Sequence, residues 1–511
     1  MSSSPTGPSA PAQPPADGPA AFPAPVPVSA GRPDRVVPTW SDPVAAQGSE
    51  AVGGPWGRHA VTGRALFWTP LRVCLLYATV VLAAAWLKQA PCSDGNWAGS
   101  VQYTHLCYSD TVPLFTLHGL DAGSVPYLDS RVEYPVLTGA FMALAAVLGR
   151  VYGDLATAAG LLPQVPPVQA YYVATCLLLS VCAFLVVRGV LALAGHRPWD
   201  AAMIGLSPLL LVHAFTNWDL FAVALATGGM WAWARNRPVL AGALIGLGVA
   251  AKFYPLLLLG ALFLLCLRAG RLREWLRAAV AAAAAWLAVD VPVAILAPQN
   301  WSLFFRLNTA RPADPDSLWN VLITASDGRF LDGPLPEGTP PVLLNTVVAV
   351  CVLLVVAGLG WLVLRAPVRP RVPQVAFLLV AAFLLVTKVW SPQYSLWLLP
   401  LAVLARPRWR ALLLWQASEV VLWVLRMLWY LGTEDRGVGA EWFFLAVIAR
   451  DLAVVVLMGL VVRDVLHPDE DAVRTSWPGV DDPAGGPLDG APDATTLRRS
   501  ASHRGQVPSP G

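Results

Sequence analysis

The sequence is short of charge and shorter still of lysine. Charged residues make up 13% of 511 residues, and only three of the 35 basic residues are lysines: Lys88, Lys252 and Lys388. With 56% hydrophobic residues and a mean hydropathy of +0.56, a soluble domain is excluded. A net charge of +3 is too small to suggest nucleic-acid binding. The start has no basic region followed by an apolar one, so no cleavable signal peptide is expected and the first span is read as a retained anchor. No His/Cys spacing reads as a zinc site. No internal repeat is visible, and no nucleotide-sugar-binding fold precedes the apolar part.

What is present is a series of long apolar runs. Each spanning helix needs roughly 20 apolar residues, so these runs predict an all-α polytopic membrane protein. They lie at about 71–87, 134–149, 168–194, 201–213, 217–234, 238–251, 253–267, 275–297, 341–364, 372–387, 394–405, 409–430 and 441–463. The 22 tryptophans suit a chain with many water–lipid boundaries. Residues 1–67 and 464–511 are rich in Pro, Ala and Gly and are expected to be disordered cytoplasmic tails flanking a membrane domain at 68–463.

Arginine clusters orient the spans. Arg235/Arg237, Arg268/Arg271/Arg273/Arg277, Arg365/Arg369/Arg371 and Arg406/Arg408/Arg410 belong on the cytoplasmic side. The alternation runs cleanly backwards from the C-terminus but fails by one crossing between 134 and 216. The short run 201–213, with Ser207-Pro208, is the candidate that dips and returns. This gives about 12 crossings (range 11–13), both tails cytoplasmic, and places Arg188, His196 and Arg197 outside. All three lysines then fall at outer helix ends, where they can snorkel to the interface or meet a phosphate oxygen.

The first outer loop holds the densest chemistry. Between His105 and Glu133 lie four carboxylates (Asp110, Asp121, Asp129, Glu133), Arg131 and two histidines. Asp110, after Tyr108-Ser109 and before Pro113, sits in a turn or at a helix start. It can take a proton from an acceptor hydroxyl, or it can N-cap the helix that follows. Asp121 and Asp129 have turn neighbours, and Arg131 and Glu133 can pair or orient the loop. Cys92 and Cys107 bracket the loop on the face where a disulfide is permitted. Within the last two spans, Glu419 and Arg450 fall at similar depth and read as an ion pair.

Four motifs in order resemble the GT-C glycosyltransferases, and within them glycosyltransferase family 87. They are the acid-bearing loop ending Glu133-Tyr134-Pro135, Asn217-Trp218-Asp219-Leu220, Lys252-Phe253-Tyr254-Pro255-Leu256, and Lys388-Val389-Trp390-Ser391-Pro392-Gln393-Tyr394. The resemblance covers about 70–463. It implies a GT-C-like helical bundle, a polyprenyl monophosphate sugar as donor (mannose in the actinobacterial mannosyltransferases of the family), and no metal or other cofactor. It also implies an aspartate of the first outer loop as base, which Asp110 matches. The acceptor is then a lipid or a glycan. Lys252, Lys388, Arg131 and Gln393 are placed to hold the phosphate and sugar, with Tyr254, Glu133, Tyr134 and Asp219 lining the same mouth. One base without an evident carboxylate nucleophile implies inversion at the anomeric carbon. The competing class is a transporter or lipid flippase, which would show inverted repeats and helices broken at mid-membrane.

Overall fold

The computed structural model describes Gly48 and residues 68–160, 162–333, 335–336, 338–476 and 481–497. The expected N-terminal tail thus lies almost wholly outside the described residues. Among the described residues the chain is helical, with an isolated bridge between Pro126 and Ser130 as its only β-pairing. Seven helices are long and apolar enough to cross a membrane, and shorter apolar helices complete the bundle, as expected of a polytopic membrane protein.

The elements that position the site are α1 (Pro70–Gln89), α2 (Thr111–Leu117), α3 (Val136–Ala159), α4 (Pro167–Leu193), α5 (Asp219–Ala234), α6 (Pro238–Ala251), α7 (Leu256–Arg268) and α8 (Leu272–Leu296). They are followed by α9 (Pro298–Ala310), α10 (Leu318–Ala325), α11 (Val342–Arg365), α12 (Val372–Val386), α13 (Ser395–Ala405), α14 (Trp409–Leu431) and α15 (Ala440–Leu466). Local chemistry sets the starts. Thr69 caps α1 by accepting from the Arg72 amide, with Pro70 at the first helical position, where its missing N–H costs nothing. Packing is closest between α6 and α8. A side chain at Gly242 or Gly246 would run into the backbone of Ala278 or Ala282, so small residues let the two backbones touch.

The bundle has two distinguishable ends. At one, the C-terminal segment packs under the helices; at the other lies the loop bearing Asp110. Among the described residues the chain passes between these ends twelve times, through α1, α4, a broken segment at 198–213, α5 to α8, and α11 to α15. The broken segment consists of Pro198–Ala201, Ala202–Gly205 and Pro208–His213. It does not dip and return. Gly195, just before it, lies against Pro483 of the C-terminal segment; Gly205 packs on Cys74 and Ala78 of α1; the Val212 carbonyl accepts from Lys88 at 3.0 Å. It therefore runs the length of α1, with Ser207 capping its last helical piece at Leu209 N and bonding Gln416 Oε1 at 2.6 Å.

The element that fails to pass is α3. It starts beside the site, where Thr138 Oγ1 donates to the Ala251 carbonyl (2.7 Å) and Phe141 packs on Phe221. Further along, Arg150 donates to the Leu120 carbonyl and Gly149 abuts Ala170 and Tyr171 of α4. The first turn of α4 is still at this end, since Gln169 bonds Ser93 and Tyr171 stacks on Phe115. So α3 leaves and returns on one side, forming an antiparallel hairpin with the start of α4. This corrects the expected identity of the non-crossing segment and moves Arg188, His196 and Arg197 to the end that carries the other arginine clusters.

The C-terminal segment also differs from expectation. The helix α15 continues to Leu466, and residues 468–476 and 481–497 fold back under the bundle. Asp471 accepts from Arg371 (2.7 Å), Asp482 accepts from the Val372 amide (2.7 Å), and Asp493 bridges Arg268 (2.6 Å) and Arg369 (3.2 Å). Trp233 Nε1 donates to the Gly485 carbonyl. Composition pointed to disorder; Asp471 and Asp493 instead pair with the buried Arg371, Arg268 and Arg369, and Asp482 caps the start of α12.

Candidate active site

Asp110 occupies the position before the first residue of α2, yet its side chain makes no capping bond. The carboxylate is turned the other way. Tyr108 donates its phenol to Oδ1 at 2.8 Å, and Asn217 Nδ2 donates to Oδ2 at 2.6 Å. Gln393 Nε2 stands at 3.5 Å from the same oxygen, the outer limit of a hydrogen bond. Asn217 gives its second amide proton to the Tyr134 hydroxyl (2.8 Å). The backbone is fixed as firmly: the Asp110 amide donates to the Thr216 carbonyl (2.9 Å), and buried Ser109 donates to the Phe215 carbonyl (2.8 Å). The first loop is thereby stitched to the end of the broken segment, which explains why the turn at 217 meets an acid more than a hundred residues earlier.

A disulfide joins Cys92 to Cys107, two residues from Ser109, with Cα atoms 5.8 Å apart. It closes the loop segment that delivers Asp110. The remaining cysteines are thiols within helices.

Behind the acid lies an aromatic cage. Lys252 Nζ sits 5.0 Å from the Tyr134 ring centroid and 5.3 Å from that of Tyr394, and pairs with Asp219 at 3.4 Å. Asp219 is fully buried and also accepts from Trp397 Nε1 at 2.7 Å. Trp397 stacks between Tyr254 (4.4 Å) and Tyr394 (3.9 Å). Tyr254 and Asp219 therefore reach the site only through Lys252 and Trp397. The amine of Lys388 is also occupied: it donates to the carbonyls of Thr309 (3.1 Å) and Arg311 (2.7 Å). Both lysine ammoniums have protein partners and little exposure.

Glu133 and Arg131 are exposed on the approach to the site. They do not serve each other; the cations that act on Glu133 are Arg311 and Lys252. Its carboxyl is raised above the usual range by partial burial first and then by the charge of Asp110, against the pull of those cations. Arg311 is likewise exposed, and its charge acts on Glu133. Asp129 instead accepts from the Val125 amide (2.8 Å) and closes a turn, and Asp121 is exposed away from this group.

Tyr108, Asn217, Tyr394 and Arg311 belong to the site but were not singled out by sequence. Asn217 and Tyr394 lie within the quoted motifs, and Tyr108 is two residues before the acid; only Arg311 carries no motif signal. On the far side, Arg426 pairs with buried Asp316 (2.9 Å), and Arg450 lies 3.6 Å over the Trp390 ring and 2.7 Å from Asp451. Glu419 is 3.9 Å from Arg450, both fully buried. This network pins the 314–317 turn and the Trp390 loop to the last two helices.

Residues 133–392, about half of the chain, match the family model of glycosyltransferase family 87. The chain belongs to this family. Among the curated proteins nothing matches it. Membership makes the protein a membrane glycosyltransferase, and the matched span contains Glu133, Tyr134, Asn217, Asp219, Lys252, Tyr254, Arg311 and Lys388. Asp110 lies before the span and Gln393 one residue after it. Asp110 is tied to the family 87 region by geometry, through its short bond to Asn217.

Proposed function

We propose that this protein transfers a sugar, mannose, from a polyprenyl-phosphate donor to a lipid or glycan acceptor at the outer face of the cell membrane, as a multi-pass enzyme with both tails in the cytoplasm. The orientation follows from the arginines clustered at the end of the bundle opposite Asp110. The observation that supports the reading best is the carboxylate of Asp110, which stands at a helix start without capping it and is held from two sides by Tyr108 and Asn217.

The chemistry is a single displacement. Asp110 takes the proton of the acceptor hydroxyl as its oxygen bonds the anomeric carbon. The bond from that carbon to the phosphate oxygen breaks, and polyprenyl phosphate leaves with the electron pair. Attack from the face opposite the phosphate inverts the anomeric centre. Tyr108 and Asn217 fix the two carboxylate oxygens, so the base needs no reorientation during reaction. Glu133, exposed and with a raised affinity for a proton, is suited to hydrogen-bond a sugar hydroxyl. Tyr134 and Gln393 close the remaining sides of the acid. Lys252 brings a positive charge under the cage, balanced by Asp219. Arg131 stands at the outer rim, where a headgroup would pass. The reading requires no metal or other cofactor.

The polar site at one end of the bundle favours this over a transporter or flippase, whose substrate must pass between both ends. The test is a membrane assay with radiolabelled polyprenyl-phosphate mannose and a lipid extract as acceptor. Label should move to a new lipid or glycan product only when the protein is present. Absence of transfer, with label instead appearing across the bilayer, would favour the flippase.

A further inference from the structure

We propose that Arg311 is the residue that binds the phosphate of the lipid-linked donor, and that Lys388 is the positioning residue that holds it in place. The inference rests on the donor class proposed above but assigns a site that no sequence motif marks.

Neither lysine can take a phosphate without giving up a partner. Lys388 is 7% exposed, and its ammonium already donates to two backbone carbonyls, those of Thr309 and Arg311. Lys252 is equally buried and neutralised by Asp219. A phosphate would have to displace these partners. Arg311 has the opposite character. Its side chain is 46% exposed, and one guanidinium nitrogen holds Asp314 at 2.7 Å. A guanidinium carries five N–H donors in a planar fork, so donors remain for a phosphate oxygen pair.

The position is fixed from both sides. Lys388 grips the Arg311 carbonyl, and its own carbonyl accepts from the Asp314 amide at 2.8 Å. Asp314 in turn steers the guanidinium. The Pro312 that follows keeps Arg311 extended, with φ −60° and ψ 129°. The guanidinium is close enough to Glu133, Tyr134 and Tyr394 for its charge to interact with them. The preceding helix α9 supplies the apolar half. Phe304 stacks on Phe253 at 5.4 Å and Phe305 meets it edge-on, while Ile295, Leu296 and Leu307 are exposed nearby. An apolar helix face leading to a fixed guanidinium matches a long lipid tail ending in a phosphate.

The experiment measures binding of radiolabelled polyprenyl monophosphate to the full-length protein in nanodiscs, without turnover, so its result stands whether or not the enzyme uses mannose. Arg311→Gln should weaken binding roughly ten- to a hundredfold, the usual cost of a charge-assisted contact. Arg311→Lys should recover part of it. Lys388→Met should also weaken binding in the native background but add little in the Arg311→Gln background, because a positioning residue acts only through its target. Thermal unfolding of each variant verifies that it is folded. Unchanged binding in Arg311→Gln, or fully additive effects of the two substitutions, would overturn the assignment. So would equal displacement of the label by phosphatidylglycerol in the nanodisc, which would mark a general headgroup contact. A wild-type protein that binds polyprenyl phosphate through Arg311 but transfers no sugar would leave this inference standing and sink the proposed reaction.

Discussion

Asp110 shows how far a single residue could be read from sequence. An acid before a helix is ordinarily a cap, and the sequence left that possibility open beside the catalytic one. The structure separates them, because the carboxylate bonds Tyr108 and Asn217 instead of the free amides of α2. The lysines were legible as lying at one end of the bundle but not as occupied, since their partners are backbone carbonyls and a distant aspartate. Two predictions belong at this scale. Tyr108→Phe and Asn217→Ala each remove one donor from the acid, so each should lower kcat by about tenfold while leaving donor KM within about twofold. Steady-state kinetics on detergent-purified protein would show this; a large rise in KM with kcat intact would reassign both residues to substrate binding. Lys252→Met should unfold the protein at lower temperature rather than raise donor KM alone, because it leaves Asp219 buried without its cation. A differential scan would register the shift.

Elements were legible where their hydropathy was regular and ambiguous where it was not. The helix α3 has the length and composition of a span, yet Thr138 near its start and Arg150 further along both bond to residues at the site end. Nothing in its residues distinguishes a helix lying over a bundle from one within it. The segment 198–213 failed the opposite way: Pro198 and Pro208 break it into pieces too short to look like a span, but neighbouring helices bury most of it. The C-terminal segment was obscured by its composition. Its value should be measurable. Asp471 and Arg371 are each about 1% exposed, and breaking a buried pair costs about 3–5 kcal/mol, so Asp471→Ala should lower the melting temperature markedly. Asp481→Ala, which removes a half-exposed partner of Arg474, should change it little. Equal effects would mean that the segment adds nothing to the bundle. The Cys92–Cys107 bridge closes a 15-residue separation, for which the chain-entropy contribution is about 3 kcal/mol. Non-reducing peptide mapping should recover the linked pair; two free thiols in alkylation-quenched protein would contradict it.

At the scale of the whole molecule, the number of passes was readable but their assignment was not. With α3 held at the site end, the arginine clusters and Arg197 gather at the other end, while the arginines of the site end (Arg131, Arg150, Arg311) are scattered singly. Cysteine labelling tests this arrangement. Asp154→Cys should react in intact cells and His196→Cys only after permeabilisation; the reverse pattern would invert the bundle. The central claim is that Asp110 is the base of sugar transfer from a lipid phosphate. The most direct measurement is the rate of sugar transfer by Asp110→Asn in nanodiscs, at saturating donor and acceptor, beside wild type of matched thermal stability. The amide keeps the shape and loses the proton affinity. The account predicts a fall in kcat of about 10²-fold or more with both KM values nearly unchanged. Transfer by Asp110→Asn at close to the wild-type rate would contradict it.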